Sequence, residues 1–437
     1  MLQSLSNAKP DPESSSIQVG IIGLGTVGTG VAKILLQQTD LLTARTGLSI
    51  HLKAIAELDW GKKRNLNLDQ VICTTDANKL LNHPEIDIIV ETIGGCEAAY
   101  AFINKAIEKQ KHIVTANKAL LATRGRELFK KARAYGVNIY FEASVGGGIP
   151  IIKALREGLV ANRFETIYGI LNGTCNYILS QMDRNGRDFD QALKEAQEQG
   201  FAEADPTLDI SGKDTAYKLS ILASLASSGF VAVNEIFTEG IAGISKSDID
   251  LAKELGYTTR LLAIYRNSPE GLDVRVHPTL IPNSHLLAAV HYESNAVFVK
   301  GDFVGETMYY GPGAGQDPTA SAVVGDLVDL SRGIATNAFL PYHCAAPDFD
   351  RKQTVIPIAQ IRSGYFLRFS YPQASAIEPM IGFLTDAGVR VTAKTISDRK
   401  NQFAVMTAEV SEATLDDVLK RAQQRHQCAC LSKIRSK

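Results

Sequence analysis

The sequence contains no uninterrupted apolar stretch long enough to span a bilayer, no tandem repeat and no extended low-complexity segment. It has no excess of charge of either sign. Lysine plus arginine number 46 against 47 acidic residues, for a formal net charge of -1. Without a basic stripe or a run of like charge, neither nucleic acid nor a membrane surface is expected as a partner. The six cysteines (Cys73, Cys96, Cys175, Cys344, Cys428, Cys430) show no framework spacing and no CxxC pair, which reads as reduced thiols in a cytoplasmic compartment. The eight histidines never pair at i, i+4 and none stands near a cysteine cluster, so no zinc site is expected. Residues 1–16 end in Asp11-Pro12-Glu13-Ser14-Ser15-Ser16 and lack the apolar core of a signal peptide. They read as a flexible tail.

What is present is a chain of 437 residues, enough for about three domains at ~150 residues each. Residues 17–150 read as an α/β dinucleotide-binding domain of the Rossmann kind. Apolar strands are expected at Gln18–Ile22, Leu52–Glu57, Ile86–Glu91, Lys111–Thr115 and Val137–Glu142. Helices are expected at Thr29–Gln38, Ala98–Lys109 and Gly125–Tyr135. Strands alternating with helices argue for a parallel, doubly wound sheet. Three consecutive glycines, Gly146-Gly147-Gly148, then mark a hinge or backbone-contact loop.

A second, α+β domain is expected over 151–340. It would have a helix at Ile151–Leu159, a strand at Arg163–Leu171, and an antiparallel sheet at Val274–Leu280, Ala296–Lys300 and Thr307–Tyr310. The loop Gly311-Pro312-Gly313-Ala314-Gly315 leads into a helix from about Pro318, and the segment 318–340 is expected to pack back on the nucleotide domain. A linker is expected over 341–361. Residues 362–437 read as a small ferredoxin-like α+β module, strand, helix, strand, strand, helix and a final apolar piece.

Gly23-x-Gly25-x-x-Gly28 lies between a strand and a helix. The first glycine permits a tight turn, the second lets the backbone approach a pyrophosphate, and the third lets helix and strand pack closely. A purely structural glycine turn is the plainer alternative. With Thr26 and Val27 these glycines form the expected nucleotide loop. The following strand ends in Glu57-Leu58-Asp59, further from the glycines than the usual ~20 residues for a ribose-binding acid. Lys62, Lys63 and Arg64 suit a 2′-phosphate or a solvated basic turn, which leaves NAD and NADP both open.

Thr115-Ala116-Asn117-Lys118 follows an apolar strand, and ligands of open parallel sheets bind at strand carboxyl ends, so Lys118 is placed for a cleft or for an exposed loop. Asn172-Gly173-Thr174-Cys175-Asn176 begins a helical segment that suits either a substrate carboxylate or plain N-capping. Cys175 has no base nearby in sequence and reads as a packed cysteine. The densest stretch runs from Gly200 to Lys218, with Glu203, Asp205, Asp209 and Asp214 ahead of Lys218. Asp214 and Lys218 stand one helical turn apart. They suit a lysine tuned by a carboxylate for proton transfer at a carbonyl or alcohol. A capping box at Ser211-x-x-Asp214 and a surface ion pair use the same residues.

Six motifs in order resemble the homoserine dehydrogenase family: Gly-Leu-Gly-Thr-Val-Gly, Val-Thr-Ala-Asn-Lys, Glu-Ala-Ser-Val-Gly-Gly-Gly-Ile-Pro, Asn-Gly-Thr-Cys-Asn-Tyr-Ile-Leu, the 200–218 run and Gly-Pro-Gly-Ala-Gly. The likeness covers about Gln18 to Ile358, with a C-terminal module and no preceding amino-acid kinase domain. It implies an NAD(P)-dependent enzyme, NADP slightly ahead of NAD, that interconverts L-homoserine and L-aspartate 4-semialdehyde in threonine, methionine and isoleucine biosynthesis. By resemblance Lys218 is the general acid/base and Lys118 a second catalytic lysine. Glu203, Asp214, Asp209, Thr174 and Gly173 contact or support the substrate. Lys118, Gly200, Glu203 and Gly315 join Gly23, Gly25, Thr26, Val27 and Gly28 around the cofactor. Backbone carbonyls of Glu142, Val145, Gly147 and Ile149 hold a monovalent cation, Na+. A homodimer or homotetramer is implied.

The sequence departs from the family at Phe201, where tyrosine is frequent. The C-terminal module resembles an ACT domain, an amino-acid-binding βαββαβ unit. Its first turn, Tyr371-Pro372-Gln373-Ala374-Ser375, lacks the usual Asp-x-x-Gly ligand loop. Cys428 and Cys430 read as two ordinary thiols.

Overall fold

The structure is a computed structural model that describes residues 16–336, 348–425 and 428–437. The tail before Ser16, Cys344 and part of the expected linker lie outside the described residues. The chain forms two compact units. One holds residues 16–153, 314–336 and 348–349; the other holds 154–313 and the described residues from 350 on.

The first unit is built on a six-stranded sheet, β1 (Ser16–Ile22), β2 (Ser49–Ala56), β3 (Ile72–Thr74), β4 (Ile88–Glu91), β5 (His112–Thr115) and β6 (Ile139–Tyr140), in the order β3-β2-β1-β4-β5-β6. Every pairing is parallel. Parallel strands are covered on both faces, so they read as continuous apolar runs, and β4 and β5 are buried at every position. Alternate side chains feed two cores. Val19, Ile21, Val90 and Val114 meet α1 (Thr26–Gln37) on one face. Ile22, Ile89 and Ile113 meet α4 (Glu97–Glu108) and α5 (Lys118–Tyr135) on the other. The short helix α3 (Ala77–Leu81) and the strand β3 fall where no element was expected, and a separate short helix, α2 (Thr39–Thr46), follows α1. The strand order reverses at β1, whose two neighbours are β2 and β4. That is the point where open α/β sheets bind their ligands.

After β6 the loop from Glu142 passes its glycines and reaches α6 (Ile151–Lys153). The stretch expected as one helix over 151–159 is α-helical only to Lys153 and continues as a π-helical turn, Ala154–Gly158. The long helix Gln316–Thr336 returns to this unit and packs on α1. There Gly30 permits a close approach: a Cβ on it would lie 2.8 Å from Ala320 Cβ.

The second unit carries β7 (Phe164–Ile170), α7 (Gly173–Arg184), α8 (Phe189–Glu198), α9 (Thr207–Ile210), α10 (Lys213–Ser227), the short β8 (Gly229–Phe230) and β9 (Phe237–Thr238), and α11 (Lys246–Glu254). These precede β10 (Tyr257–Ser268), β11 (Gly271–Pro282), β12 (Ser294–Gly301) and β13 (Gly305–Pro312). β13, β12, β7, β10 and β11 lie side by side, all antiparallel. The residues from Arg362 fold as strand (Arg362–Ser370), helix (Ile377–Asp386), strands (Val391–Ser397, Gln402–Thr407), helix (Glu412–Arg425) and strand (Ala429–Ser436). Counting these four strands in chain order, they lie fourth, first, third, second across the sheet, over a core of Tyr365, Leu367, Phe369, Met380, Leu384 and Val418. The last strand also pairs with β11, Thr279 with Arg435 and Leu280 with Ser436, so the C-terminal module extends the same sheet. Arg435 reinforces the join, donating to both oxygens of Glu412 at 2.9 and 2.8 Å and to Glu239 at 2.7 Å.

Candidate active site

In the first unit the nucleotide loop leaves the carboxyl end of β1. Gly23 has φ +96°, and a Cβ on it would lie 2.7 Å from Ile93 Cγ2. Gly28 must also be glycine, because a Cβ there would lie 2.0 Å from Gly23 O and 2.9 Å from Thr92 Oγ1. Gly25 is different: nothing lies within 4 Å of a Cβ built on it, and Gly25 and Thr26 are exposed. Val27 is half-buried. The start of α1 has no side-chain cap and no acidic residue in its first turn. An exposed helix start of this kind favours an anion. The loop thus offers a close-packed base and an open rim, which fits the pyrophosphate of a dinucleotide.

Beside it, Glu57 accepts from the backbone N–H of Leu24 at 2.5 Å and of Asp59 at 2.9 Å. Burial pushes the Glu57 carboxyl up, but those N–H groups and Arg64 outweigh it and hold it below the usual range. Arg64 Nε donates to Leu24 O at 2.7 Å. Of the three basic residues expected here, Arg64 is therefore the one fixed against the glycine loop. Lys62 forms an exposed 3.6 Å pair with Asp59.

At the end of β5, Asn117 caps α5 by accepting from Leu120 N, and Lys118 is the first residue of that helix, half-buried. The approach is held from β4. Thr115 Oγ1 donates to the fully buried Glu91 at 2.6 Å and accepts from Asn117 N–H at 3.0 Å. Burial raises the Glu91 carboxyl above its usual range against its hydrogen bonds. Sequence reading did not single out Glu91.

The glycine-rich loop after β6 is stapled at both ends. The Glu142 carboxylate accepts from Ile152 N at 2.9 Å and Lys153 N at 2.7 Å, and Glu142 N–H donates to Asp326 at 2.8 Å. Gly146 and Gly147 sit at φ +75° and +57°. The Glu142 carbonyl accepts from Val145 N and the Ile149 carbonyl from Ile151 N. A carbonyl oxygen has two lone pairs and is a hard donor, so backbone carbonyls of such a loop are chemically suited to a hard cation. Among the described residues no cluster of three or more His, Cys, Asp or Glu side chains could hold a metal ion. Gly315, at φ +117°, opens the Gln316–Thr336 helix of the same unit, its carbonyl accepting from Thr319 N–H.

In the second unit the Asp214–Lys218 pair is buried. Lys218 Nζ lies 2.8 Å from Asp214 Oδ2, with the two side chains 10% and 4% exposed. The same ammonium donates to Leu171 O, just past the end of β7, at 2.6 Å. The capping box expected at Ser211–Asp214 does not form. Gly212, at φ +81°, precedes α10 and no side chain caps it. Asp214 turns to Lys218 and to Asn172 Nδ2, at 2.9 Å, instead. Asp209, on α9, accepts from Asn172 Nδ2 at 2.7 Å and from Thr174 Oγ1 at 3.3 Å. The single Thr174 hydroxyl proton is shared with Phe201 O, which is closer at 2.6 Å. The Phe201 ring packs on Tyr177 with centroids 4.9 Å apart. Gly173 is required where α7 begins, since a Cβ would meet Glu293 O at 2.8 Å. Cys175 is fully buried. Burial first, then Asp209 and Asp214, push its thiol well above the usual range, which removes it as a nucleophile.

Asp209, Asp214, Thr174 and Lys218 are thus brought together around Asn172. Glu203 and Gly200 lie in the exposed turn between α8 and α9, where the Glu203 carbonyl accepts from Gln197. The Glu203 side chain makes no hydrogen bond or ion pair among the described residues.

Residues 23–142 match the family model for the homoserine dehydrogenase NAD binding domain, and residues 150–328 match that for homoserine dehydrogenase. The chain is 41% identical over 411 residues to homoserine dehydrogenase from Pseudomonas aeruginosa, covering 92% of this chain and 94% of that one. A homoserine dehydrogenase structure from Thiobacillus denitrificans superimposes with a TM-score of 0.90 at 41% identity, covering 97% of this chain and 98% of the other. A hyperthermophilic archaeal homoserine dehydrogenase in complex with NADPH gives 0.60 at 25% identity over 72% of this chain and 97% of its own. A nucleotide fold with a glycine loop at its switch point, together with these likenesses over most of the chain, settles the lineage: the chain belongs to the homoserine dehydrogenase family of NAD(P)-dependent oxidoreductases.

Proposed function

We propose that this enzyme interconverts L-homoserine and L-aspartate 4-semialdehyde, with Lys218 as the general acid/base. The buried Lys218–Asp214 pair carries the reading. An ammonium held between a carboxylate and a carbonyl has a fixed direction and little access to bulk water, which suits proton transfer to one oxygen. In reduction Lys218 gives its proton to the aldehyde oxygen; in oxidation it takes the hydroxyl proton. Lys118 is the second catalytic lysine. Asp214 and Glu203 receive the hydroxyl and ammonium ends of the substrate, Thr174 and Gly173 its carboxylate, and Asp209 supports them. When bound, the nucleotide supplies or accepts the hydride.

The nucleotide is held by Gly23, Gly25, Thr26, Val27 and Gly28, with Lys118, Gly200, Glu203 and Gly315 contributing. NADP is preferred, because the guanidinium of Arg64 beside the glycine loop suits a 2′-phosphate and the archaeal relative was solved with NADPH. Na+ sits on the carbonyls of Glu142, Val145, Gly147 and Ile149. The C-terminal module is ACT-like and regulatory, its strand order supporting that reading, and the active species is a homodimer or homotetramer. The enzyme works in the cytoplasm in threonine, methionine and isoleucine biosynthesis. Among the described residues no helix is long and apolar enough to cross a membrane.

The test is Lys218→Ala assayed in both directions. Turnover should fall by roughly 10²–10⁴-fold, the scale of a lost general acid, while nucleotide affinity stays within threefold. Near-parent turnover would remove Lys218 from the chemistry. Equal use of short aldehydes that lack the ammonium and carboxylate would overturn the substrate.

A further inference from the structure

Asn172 occupies the N-cap of α7, and its side chain is fully committed. Oδ1 accepts from Cys175 N–H at 2.8 Å, which is the capping bond. Nδ2 donates to Asp209 Oδ1 at 2.7 Å and Asp214 Oδ2 at 2.9 Å. A carboxamide nitrogen has two N–H donors, and here each meets a carboxylate. The amide orientation follows from its neighbours. Cys175 N–H can only donate and the carboxylate oxygens accept, so a flipped amide would place donor on donor and oxygen on two oxygens.

Capping does not call for this arrangement. Asn, Asp and Ser cap a helix about equally well. Only the amide both caps and supplies two neutral donors. Aspartate would place a third carboxylate against two others, and serine has one proton on a shorter arm. The oxygen of Asp214 that Asn172 holds is also the one Lys218 meets at 2.8 Å. Asn172 thus sets where the lysine finds its partner and keeps two carboxylates, 37 and 42 residues away along the chain, in one cluster.

We infer that Asn172 is a positioning residue of the substrate site, whose amide clamps Asp209 and Asp214 and fixes the carboxylate oxygen that orients Lys218. This rests on the role proposed for Lys218. The titratable groups facing Asn172 are Asp209 from α9, Asp214 and Lys218 from α10, and Cys175 from α7, whose thiol stays neutral.

Asn172→Ser and Asn172→Asp both keep a competent cap, and the test follows kcat, KM and the pH profile of homoserine oxidation in the purified enzyme. The inference expects kcat to fall at least about tenfold in both, with KM for the nucleotide within about twofold. It also expects the acid limb of kcat/KM to move up, further in Asn172→Asp, because carboxylates that lose a donor or gain a like charge protonate more readily. A purely structural cap would instead leave kcat and the acid limb unmoved in both variants, and so would overturn the inference, as would failure of both to fold. The Lys218→Ala result is read separately. If that variant keeps its turnover, the underlying role fails; if it loses turnover while the Asn172 variants match the parent, only the clamp fails.

Discussion

Gly25 and Gly28 are three residues apart in one motif, yet the structure assigns them opposite sensitivities. A Cβ at Gly28 would stand 2.0 Å from Gly23 O, so α1 must withdraw from the loop by about 1 Å to admit it. Such overpacking costs about 1–3 kcal/mol, offset by up to about 1 kcal/mol of helix propensity gained over glycine. Gly28→Ala should therefore lower the thermal midpoint of the nucleotide-free protein by a few degrees, at about 2–4 °C per kcal/mol for a unit of this size. Gly25 has an ordinary φ of -73° and open space around its Cα. Gly25→Ala should leave the midpoint unchanged or raise it slightly, because the unfolded chain loses freedom. The methyl would nonetheless occupy the space a pyrophosphate needs, and dissociation constants for NADP and NAD should rise at least about tenfold, or about 1.4 kcal/mol. Thermal unfolding without nucleotide and fluorescence titration with it read the two effects independently. If Gly25→Ala binds nucleotide within threefold of the parent, the loop is a packing turn and its open rim holds no phosphate.

Two further outcomes concern stability. His112 opens β5 buried, its ring Nδ1 accepting from Asn138 N–H, and burial pushes it down to about 4. A histidine kept neutral by the fold contributes stability that is intact above the unfolded value of about 6.5 and lost as pH falls toward 4. At about 1.4 kcal/mol per pH unit that loss reaches about 3 kcal/mol. Thermal midpoints between pH 7 and 4.5 should fall accordingly and flatten in His112→Asn, whose side-chain oxygen takes the place of Nδ1; an equally steep fall would exclude His112 as the cause. In the second unit, Arg368 of the C-terminal module meets the wholly buried Asp248 at 2.7 Å. Arg368→Met strands that carboxylate at a cost of about 3–5 kcal/mol, which Arg368→Met/Asp248→Asn should largely recover. Hydrogen exchange along Arg362–Ser370 measures both, and unchanged protection in the single variant would show the pair to be dispensable.

The parallel sheet was legible because β4 and β5 are buried on both faces, and continuous apolar runs between helical stretches have few other readings. Edges were less legible. The helix expected from Gly125 begins seven residues earlier, at Lys118, since Gly125 sits comfortably inside α5 with only the Phe129 ring near its missing side chain. A glycine punctuates a helix only when the backbone needs it to. β10 escaped notice because Leu261–Tyr265 is apolar without alternation, a pattern that a buried strand and a buried helix share. The C-terminal module was read in its proper element order. Its weld to the rest of the unit rests on the pairing of Thr279 with Arg435 and on Arg435–Glu239, 196 residues apart, and local sequence carries no trace of these.

The candidate site shows the same division more sharply. Asp214 and Lys218 at i, i+4 describe a surface ion pair as well as a buried one, and the two differ greatly in consequence. An exposed pair of this spacing contributes about 0.3–0.5 kcal/mol and has no chemistry, whereas a desolvated one holds a proton donor in a single direction. Spacing cannot choose between them, because burial is decided by what arrives from elsewhere. Leu171 O comes from the end of β7 and the Asn172 amide from the start of α7, both more than 40 residues upstream. Asn172 was hidden by a different degeneracy: it satisfies a capping pattern completely, so nothing in the local sequence asks for a second use of its nitrogen. The signal that could have found it is chemical. At a helix start where Asn, Asp and Ser serve equally, an asparagine upstream of two aspartates is the one choice that adds donors without adding charge.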